Sequence, residues 1–566
     1  MQGQGSLQPS TRVDATTGIA TAATAGERLP LPAPRAERSD PALAGATPAR
    51  PHWLARAWAA LLAASVEKKF LTILLAIFVA KGIAIAFIHV PFSGHDEVAH
   101  YSYLEIVATE HRMPVIPDLQ EWQAAYQADG TDTADRMPAK LWKYCQFVTD
   151  DWNFCSLPQC TEPCYLQNLP PDYKIGPNGW IYTANHPPLY YVVMTPLYWL
   201  SDGWSLTSQL YLLRLAAIPF GVLTVLFSYL AVRALFPNDR FLAFTVPTFV
   251  AFQPQISYEA AMLNNDILAI AFTSGVIWLV MLGLKKRFPL WNVILIGFLY
   301  GLAMLSKNTS ATAGLIIAFA MIVGLGWRNW RQWIPKGALA AITASLLVWP
   351  WYLYMWTTYG NFTALPQIQQ LQWWNYRDGQ HPTIWSQLSN RRFFWARWGE
   401  TWGDFGWRLI PLSDTLLRIL LWIALFGVIG LGVYAIRFWR AQQPILAAET
   451  DEEAAALAAK TDSTLAIERW QVVALVTLGL SCVLAYFAIL QFGLTFALTQ
   501  ARYFFPVITA GAILMMLGIR SWFPAKWLPW VQVAIFVGLL VLNLVIYSEY
   551  VVPWSNTGRY SLDFSF

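Results

Sequence analysis

Long apolar runs alternate with short polar segments, many of them basic, along most of this chain. A run of about 20 apolar residues is long enough to cross ~30 Å of hydrocarbon as a helix. The runs predict an all-α polytopic membrane protein with about eleven transmembrane helices. The predicted spans are residues 71–90, 211–236, 241–257, 262–284, 290–305, 310–327, 338–356, 416–438, 471–494, 503–518 and 528–547.

Basic residues set the predicted orientation of these spans. The first span is preceded by Arg56, Lys68 and Lys69. Positive charge favours the cytoplasmic side, so the N-terminus is predicted to be cytoplasmic. Residues 91–210 and 357–413 then form two large extracytoplasmic loops that carry interfacial helices. Residues 189–200 are too short for a span, and a span there would invert every later basic loop, so they predict an interfacial or re-entrant helix.

The composition excludes an ordinary soluble domain. Of 566 residues, 56% are hydrophobic and 13% are charged, whereas a typical soluble domain has about 25% charged residues. The net charge is only +4, and the basic residues lie in short clusters between the apolar runs, as expected for residues that set membrane topology. No nucleic-acid partner is therefore predicted. We expect a multi-pass protein of a bacterial-type cytoplasmic membrane.

Composition also divides the chain into predicted segments. Residues 1–50 are rich in Ala, Thr, Pro and Gly, and they predict a disordered cytoplasmic tail. The remaining segments are a membrane module at 51–438, a cytoplasmic linker at 439–470, C-terminal membrane helices at 471–547 and an extracytoplasmic tail at 548–566.

Most of the cysteines lie in the first loop. Of the five, this loop contains Cys145, Cys155, Cys160 and Cys164. Their spacing contains no CxxC pair and fits no zinc ribbon. In an oxidising compartment two disulfides are favoured over zinc, and the sequence leaves three connectivities open. The fifth, Cys482, lies within an apolar run and is predicted to be a core residue.

Ionisable residues collect at one side of the predicted membrane. His95, Asp96, Glu97 and His100 follow the first span, and the same side receives His186, Asp266, Lys307, Arg502 and Tyr503. A charged side chain at a membrane edge costs free energy unless it is solvated or ion-paired, so such residues often have a function in binding or catalysis. Singly, Asp96 is also explained as a helix cap, His186 as a helix entry and Lys307 as a snorkelling side chain. Together they favour a site that binds an anionic head group beside a base.

These motifs resemble those of a known group of enzymes. The Asp96-Glu97 pair, the segment beginning His186-Pro-Pro-Leu, the Asn265-Asp266 pair and Arg502-Tyr503 resemble polyprenyl-phosphate-dependent glycosyltransferases of the GT-C fold. The resemblance covers residues 71–547. It is to the family 39-like branch of protein O-mannosyltransferases, lipid A aminoarabinose transferases and related bacterial membrane proteins. It implies inverting transfer of a hexosyl or pentosyl group from a polyprenyl-phosphate-linked sugar to an extracytoplasmic protein, lipid or glycan.

The resemblance also implies roles for individual residues. Asp96 is the expected general base, with Glu97 orienting the acceptor or binding a metal. Lys307 and Arg502 are expected to steady the leaving phosphate. His186 stands where some relatives carry Lys, so it contacts phosphate only if protonated or through its neutral N–H. The expected substrate-binding residues are His100, His186, Asp266, Lys307, Arg502 and Tyr503, with Asp266 binding sugar hydroxyls or supporting the site.

Three further questions stay open at this point. A divalent metal is one of them, with Glu97, His100 and His186 as its candidate ligands. The second is the class of function, because a flippase for lipid-linked sugars and a non-catalytic envelope scaffold are the alternatives. A transporter is expected to place charges near the bilayer midplane and often shows repeated halves, and this sequence has no repeat. The third is the identity of the sugar and of the acceptor.

Overall fold

The computed structural model describes residues 65–131, 133–138, 140–141, 144, 180–371, 382–448, 450–496 and 499–556. The predicted N-terminal tail, the four loop cysteines and the last ten residues lie outside these ranges. Every regular element in the described part of the chain is a helix. The first half contains α1 (Val66–Ile88), α2 (Glu97–Glu110), α3 (Leu119–Asp129), α4 (Leu189–Leu200), α5 (Leu206–Leu235), α6 (Arg240–Phe252), α7 (Pro254–Glu259), α8 (Asp266–Lys286) and α9 (Leu290–Ser306).

The second half continues the helical bundle. It contains α10 (Thr312–Leu325), α11 (Trp330–Tyr359), α12 (Leu365–Leu371), α13 (Ile384–Leu388), α14 (Arg391–Trp402), α15 (Phe405–Arg408), α16 (Asp414–Leu446), α17 (Asp451–Lys460), α18 (Arg469–Thr495), α19 (Ile508–Ser521), α20 (Leu528–Val545) and α21 (Val552–Asn556). A 3-10 segment, Ala501–Val507, leads into α19, and a π-helical turn, Ile546–Val551, joins α20 to α21. The predicted C-terminal tail is therefore helical as far as Asn556.

Nine helical segments in the described ranges have the length and apolar composition of membrane spans. The predicted fold class, an all-α polytopic membrane protein, is confirmed, but the count of about eleven spans is not. Two predicted spans, residues 241–257 and 290–305, correspond to the shorter apolar helices α6 and α9. The predicted interfacial segment forms α4, Leu189–Leu200, with the expected bounds.

A helix break explains why the predicted span at 241–257 is short. Pro254 has no backbone N–H, so α6 ends at Phe252 and α7 starts in a new direction. The carbonyls left without helical partners are satisfied from other helices. Lys81 Nζ donates to Ala251 O at 2.6 Å, and Asn543 Nδ2 donates to Phe252 O at 2.7 Å. These bonds fix the C-terminal end of α6 to α1 and α20, and α7 packs beside α1.

Close helix packing brings distant parts of the sequence to one end of the bundle. Helix α5 packs along α8, α9 along α11, and α16 along α19. The ring of Tyr103 on α2 stacks on that of Tyr191 on α4, with centroids 3.6 Å apart. The C-terminal ends of α1 and α9 and the N-terminal end of α8 therefore meet at one face of the bundle, which we call the site face.

The opposite face carries its own buried ionic network. Arg520, near the end of α19, donates to Asp239 at 2.7 Å and forms an ion pair with Asp462 at 3.0 Å. Asp462 belongs to the predicted linker at 439–470, which contains the end of α16 and the whole of α17. The linker is thus attached to the helical bundle through Arg520.

Candidate active site

Asp96 lies at the centre of the site face. It follows α1 in a buried turn and has a positive φ of 57°, a conformation that is uncommon for residues other than glycine. Its Oδ1 accepts a hydrogen bond from the Tyr182 hydroxyl at 2.6 Å, and its Oδ2 accepts one from Arg502 at 2.5 Å. The turn thus aims the carboxylate at a cation that is distant in sequence.

Arg502 and Lys307 connect Asp96 to a second carboxylate. The other terminal nitrogen of Arg502 lies 3.3 Å from Asp266 Oδ2, and Lys307 Nζ donates to Asp266 Oδ1 at 2.6 Å. All four side chains are at least nine-tenths buried. Two carboxylates and two cations balance in charge, as buried ions require. The structure therefore assembles four sequence-predicted residues, Asp96, Asp266, Lys307 and Arg502, into one ionic chain.

The position of Asp96 sets its protonation state. Burial by itself raises the pKa of this carboxyl group. The Arg502 cation and the hydrogen bonds from Arg502 and Tyr182 outweigh burial, so the pKa of Asp96 lies well below its ordinary value. Asp96 is therefore ionised and engaged, and it is a weak base while Arg502 remains bound to it.

Two histidines border the ionic chain in neutral form. Burial lowers the pKa of His100 to about 3 and that of His186 well below its ordinary value. His100 Nδ1 lies 2.8 Å from the Tyr191 hydroxyl, and its buried Nε2 has no partner among the described residues. Asn265 Nδ2 lies 3.4 Å from His186 Nδ1. Of the two predicted ways for His186 to contact phosphate, the neutral N–H fits this environment and the protonated ring does not.

Tyr503 lies beside both cations. Its ring centroid is 5.5 Å from Lys307 Nζ and 5.9 Å from the Arg502 guanidinium carbon. Cations at this distance are attracted to an aromatic ring. Tyr503 therefore joins the cluster through its ring.

Glu97 points away from Asp96 and into the core. Arg214 donates to both of its oxygens, at 2.9 and 2.6 Å, and the backbone N–H groups of Leu263 and Gly94 each donate at 2.9 Å. A side chain on Gly94 would collide with Glu97, which explains glycine at that position. The predicted role of Glu97 in orienting an acceptor is not supported by this geometry.

The candidate metal ligands are not brought together. Glu97 is engaged by Arg214, whereas the rings of His100 and His186 lie 5.7 Å apart next to the ionic chain. Within the described ranges, no three His, Cys, Asp or Glu side chains converge as a metal site would require. In the described part of the chain, the candidate ligands Glu97, His100 and His186 therefore do not lie together as one site.

A narrow polar cavity adjoins Arg502. It is lined by His95, Gln255, Glu400, Asp404, Gly406, Arg408, Gln500 and Arg502. Glu400 accepts hydrogen bonds from Arg397 and Arg408 at 2.7 Å each and from the Ala501 N–H at 2.8 Å, which ties the second predicted loop to the Arg502 segment. Burial, reinforced by Glu400, raises the pKa of Asp404 to about 6. The cavity volume of about 10 Å³ is the space of a single water-sized group.

Sequence reasoning missed several residues of this region. Arg214 and Glu400 are buried and ion-paired, and Glu259 is buried with its Oε1 3.1 Å from His95 Nδ1, yet the sequence motifs include none of the three. Arg214 carried a usable signal, because an ionisable residue within a transmembrane segment is costly and needs a partner. Tyr182 and Glu400 lie in the two predicted extracytoplasmic loops, 91–210 and 357–413, where composition alone distinguishes no side chain.

These features define the chain as a polytopic membrane protein with a buried ionic site at one face. Residues 185–354 match the family model described as dolichyl-phosphate-mannose-protein mannosyltransferase. The match includes Asp266 and Lys307 and confirms the predicted resemblance to GT-C glycosyltransferases, although it spans less than half of the chain. The sequence comparison with curated proteins gave no match.

Solved structures with a similar arrangement include two of ArnT from Cupriavidus metallidurans. The complex with undecaprenyl phosphate is 15% identical, with a TM-score of 0.39, over 86% of this chain and 73% of that one. The apo form is 17% identical, with a TM-score of 0.35, over 66% of this chain and 63% of that one. The Archaeoglobus fulgidus oligosaccharyltransferase is 12% identical, with a TM-score of 0.39, over 81% of this chain and 55% of that one. The alignments thus span less than two thirds of the last two structures.

Proposed function

We propose that this protein is an inverting membrane glycosyltransferase that moves a sugar from a polyprenyl-phosphate donor to an extracytoplasmic acceptor. The observation that carries the proposal is the buried ionic chain, in which Arg502 and Lys307 each contact a carboxylate at the site face. The family match adds support, since its description names a lipid phosphate donor. The sugar and the acceptor are left unassigned.

The two cations suit the leaving group of this reaction. When the bond between the sugar C1 and the phosphate oxygen breaks, its electron pair remains on the lipid phosphate. Arg502 and Lys307 can exchange carboxylate partners for phosphate oxygens, because guanidinium and ammonium groups bind both. The buried Nε of Arg502 has no partner among the described residues, so this guanidinium has a donor left for the substrate.

An apolar groove is available for the hydrocarbon chain of the donor. It has a volume of about 440 Å³ and lies between α16, α19 and α20, with lining residues that include Phe426, Met515 and Gly538. Its lining side chains are all apolar, so they favour a hydrocarbon over a sugar. Trp402 also borders the groove, two residues before Asp404 in the polar cavity. This adjacency supports a lipid chain and a polar head bound on either side of one loop segment.

Asp96 remains the general base predicted from the sequence. Asp96 can act as a base only after Arg502 has released it. This release would follow if Arg502 moved from Asp96 to the donor phosphate. If Arg502 stays in place, Asp96 instead positions the cation. Both roles require the carboxylate, and they differ in whether Asp96 takes the proton of the acceptor.

Binding of polyprenyl phosphate tests the proposed donor site. Purified protein in nanodiscs should bind polyprenyl phosphate more tightly than the corresponding polyprenol, which lacks the phosphate. Arg502→Gln should abolish this preference, whereas Arg520→Gln, at the other end of the same helical segment, should retain it. Equal affinity of the native protein for the two lipids would contradict a phosphate site.

A further inference from the structure

Helix α14 contacts the ends of two membrane spans. Its Phe393 ring packs against Gly493, in the last turn of α18, where a Cβ atom on the glycine would lie 3.0 Å from the ring. Further along α14, Trp398 Nε1 donates to Leu417 O, in the first turn of α16, at 2.8 Å. Both α16 and α18 have the length and apolar composition of membrane spans. The ends of such helices mark the edge of the hydrocarbon layer, so α14 lies at the membrane edge on the site face.

A group of exposed side chains between positions 385 and 394 combines large apolar groups with cations. Trp385 and Leu388 of α13 are 78% and 41% exposed, and Phe394 of α14 is 36% exposed. Arg391 and Arg392, at the start of α14, are exposed between them in the sequence. Aromatic and apolar side chains next to basic ones are typical of segments that lie in the membrane interface. We call these five residues the α13–α14 surface.

The two arginines of this surface have no partner of opposite charge within the described ranges. Glu400, the acidic residue of α14, is already engaged by Arg397 and Arg408. The first turn of α14 contains no acidic residue. The helix dipole opposes cations at a helix N-terminus, so the stability of α14 does not explain Arg391 and Arg392. Their positive charge is therefore available to an anionic partner.

We propose that the α13–α14 surface binds the headgroups of anionic phospholipids. Trp385, Leu388 and Phe394 contact the acyl chains near the headgroups, and Arg391 and Arg392 donate to lipid phosphates, which guanidinium groups bind well. The arginines repel the cationic group of a zwitterionic headgroup, so anionic lipids are preferred. A lipid is favoured over a free phosphate or a soluble partner, because it supplies an apolar and an anionic group together at the membrane edge.

The proposed lipid surface shares a helix with the candidate active site. Glu400, near the end of α14, accepts a hydrogen bond from the Ala501 N–H at 2.8 Å, and Ala501 precedes Arg502. A lipid bound at the start of α14 is therefore connected to the Arg502 segment through one helix. Lipid binding at this surface requires no sugar transfer, and it can be measured whether or not the protein is a glycosyltransferase.

Photo-cross-linking tests the lipid preference at this surface. The full chain would be reconstituted in nanodiscs with equal amounts of phosphatidylglycerol and phosphatidylcholine that carry the same photoactivatable acyl chain. Mass spectrometry would quantify the cross-links within residues 382–402, which excludes lipids bound at basic residues elsewhere. The native segment should favour phosphatidylglycerol. In Arg391→Gln/Arg392→Gln the ratio of the two lipids should fall by ~5–30-fold, because one arginine near a lipid surface contributes about 5-fold.

Matched variants separate the charge effect from changes in folding. Arg328→Gln/Arg331→Gln, which removes two exposed arginines between α10 and α11 on the opposite face, should keep the native ratio. Arg391→Lys/Arg392→Lys retains the charge and should retain most of the preference, whereas Trp385→Ser should lower cross-linking of both lipids alike. Thermal unfolding should be unchanged in the arginine variants, because these side chains are exposed.

Three results would overturn the assignment of this surface to anionic lipids. One is equal cross-linking of the two lipids to the native segment, and another is a native ratio in the folded Arg391→Gln/Arg392→Gln variant. The third is the absence of cross-links from either lipid within residues 382–402, which would mean that this surface lies away from the bilayer.

Discussion

The guanidinium of Arg502 contacts the carboxylate of Asp96 at 2.5 Å, although 406 positions separate the two residues in the chain. The contact joins the turn after α1 to the segment that leads into α19. It satisfies two buried charges and places a cation where a lipid phosphate is proposed to bind.

Replacing Asp96 should disable transfer without removing the fold. Asp96→Asn keeps the size of the side chain and its contact with Tyr182 but loses the negative charge facing Arg502. We expect kcat/KM to fall by ~10²–10⁴-fold, the range for loss of a base or of a positioned cation. Transfer assays with the purified variant check this, and a native rate would show that the carboxylate is dispensable.

Glu97 is expected to matter for stability. Removing one partner of a buried ion pair costs about 3–5 kcal/mol, because the other charge is left unpaired. Glu97→Gln should therefore lower the free energy of unfolding by about 3–5 kcal/mol, because it leaves the buried Arg214 without its partner. Unfolding in detergent checks the prediction. Glu110→Gln, which loses an exposed pair with Arg112, is the control and should change stability by less than about 1 kcal/mol.

The break between α6 and α7 should depend on its interhelical donors. Lys81→Met retains most of the side-chain volume but leaves the Ala251 carbonyl without its bond from Nζ. An unmade buried hydrogen bond costs about 1–3 kcal/mol, so the unfolding midpoint should fall. Unchanged thermal unfolding would mean that Asn543 and Ser257 suffice to cap the break.

Acid should destabilise the native protein through its buried histidines. The pKa of His100 is lowered from its ordinary value of 6.5 to about 3, so the unfolded chain binds the proton more readily between these values. The stability contributed by neutral His100 is present above pH 6.5 and is lost as the pH falls towards 3. His100→Gln should therefore flatten the dependence of Tm on pH between 6.5 and 4.5. A slope equal to that of the native protein would exclude His100 as the cause.

The apolar groove should discriminate donors by chain length. Gly538 lines the groove, and no atom lies within 4 Å of the position that a side chain there would first occupy. Gly538→Trp should fill the groove and weaken binding of a long polyprenyl phosphate more than that of a short-chain analogue. Gly479→Trp, a glycine with equally open surroundings outside the groove lining, is the control. Equal losses for long and short chains would contradict the assignment.

The predicted disulfides are testable by thiol labelling. Cys145, Cys155, Cys160 and Cys164 lie outside the described residues, so their pairing remains a sequence prediction. Reduction should lower stability and, as a consequence, transfer activity. In the oxidised, unfolded protein only Cys482, a cysteine without a disulfide, should react. Labelling of all five would remove the prediction.

The sequence predicted the helical fold class and the side of the membrane shared by the site residues because both follow from hydropathy and charge. It did not reveal that Glu97 faces Arg214 while its neighbour Asp96 faces Arg502. That difference depends on the left-handed conformation of Asp96, which only packing determines. The predicted span at 241–257 ran through Pro254, and the capping of the break there by Lys81 and Asn543 depends on the three-dimensional arrangement of α1, α6 and α20.

Sugar transfer is the most direct test of the central claim. Native protein, Arg502→Gln and Arg520→Gln would be reconstituted in nanodiscs and offered a panel of radiolabelled polyprenyl-phosphate sugars with membrane-derived acceptors. The account predicts that the native protein and Arg520→Gln transfer at least one sugar, and that Arg502→Gln, although folded, does not. Lipid binding without transfer by the native protein would favour a flippase or an envelope scaffold. Equal transfer by Arg502→Gln would show that the buried ionic chain is not the catalytic site.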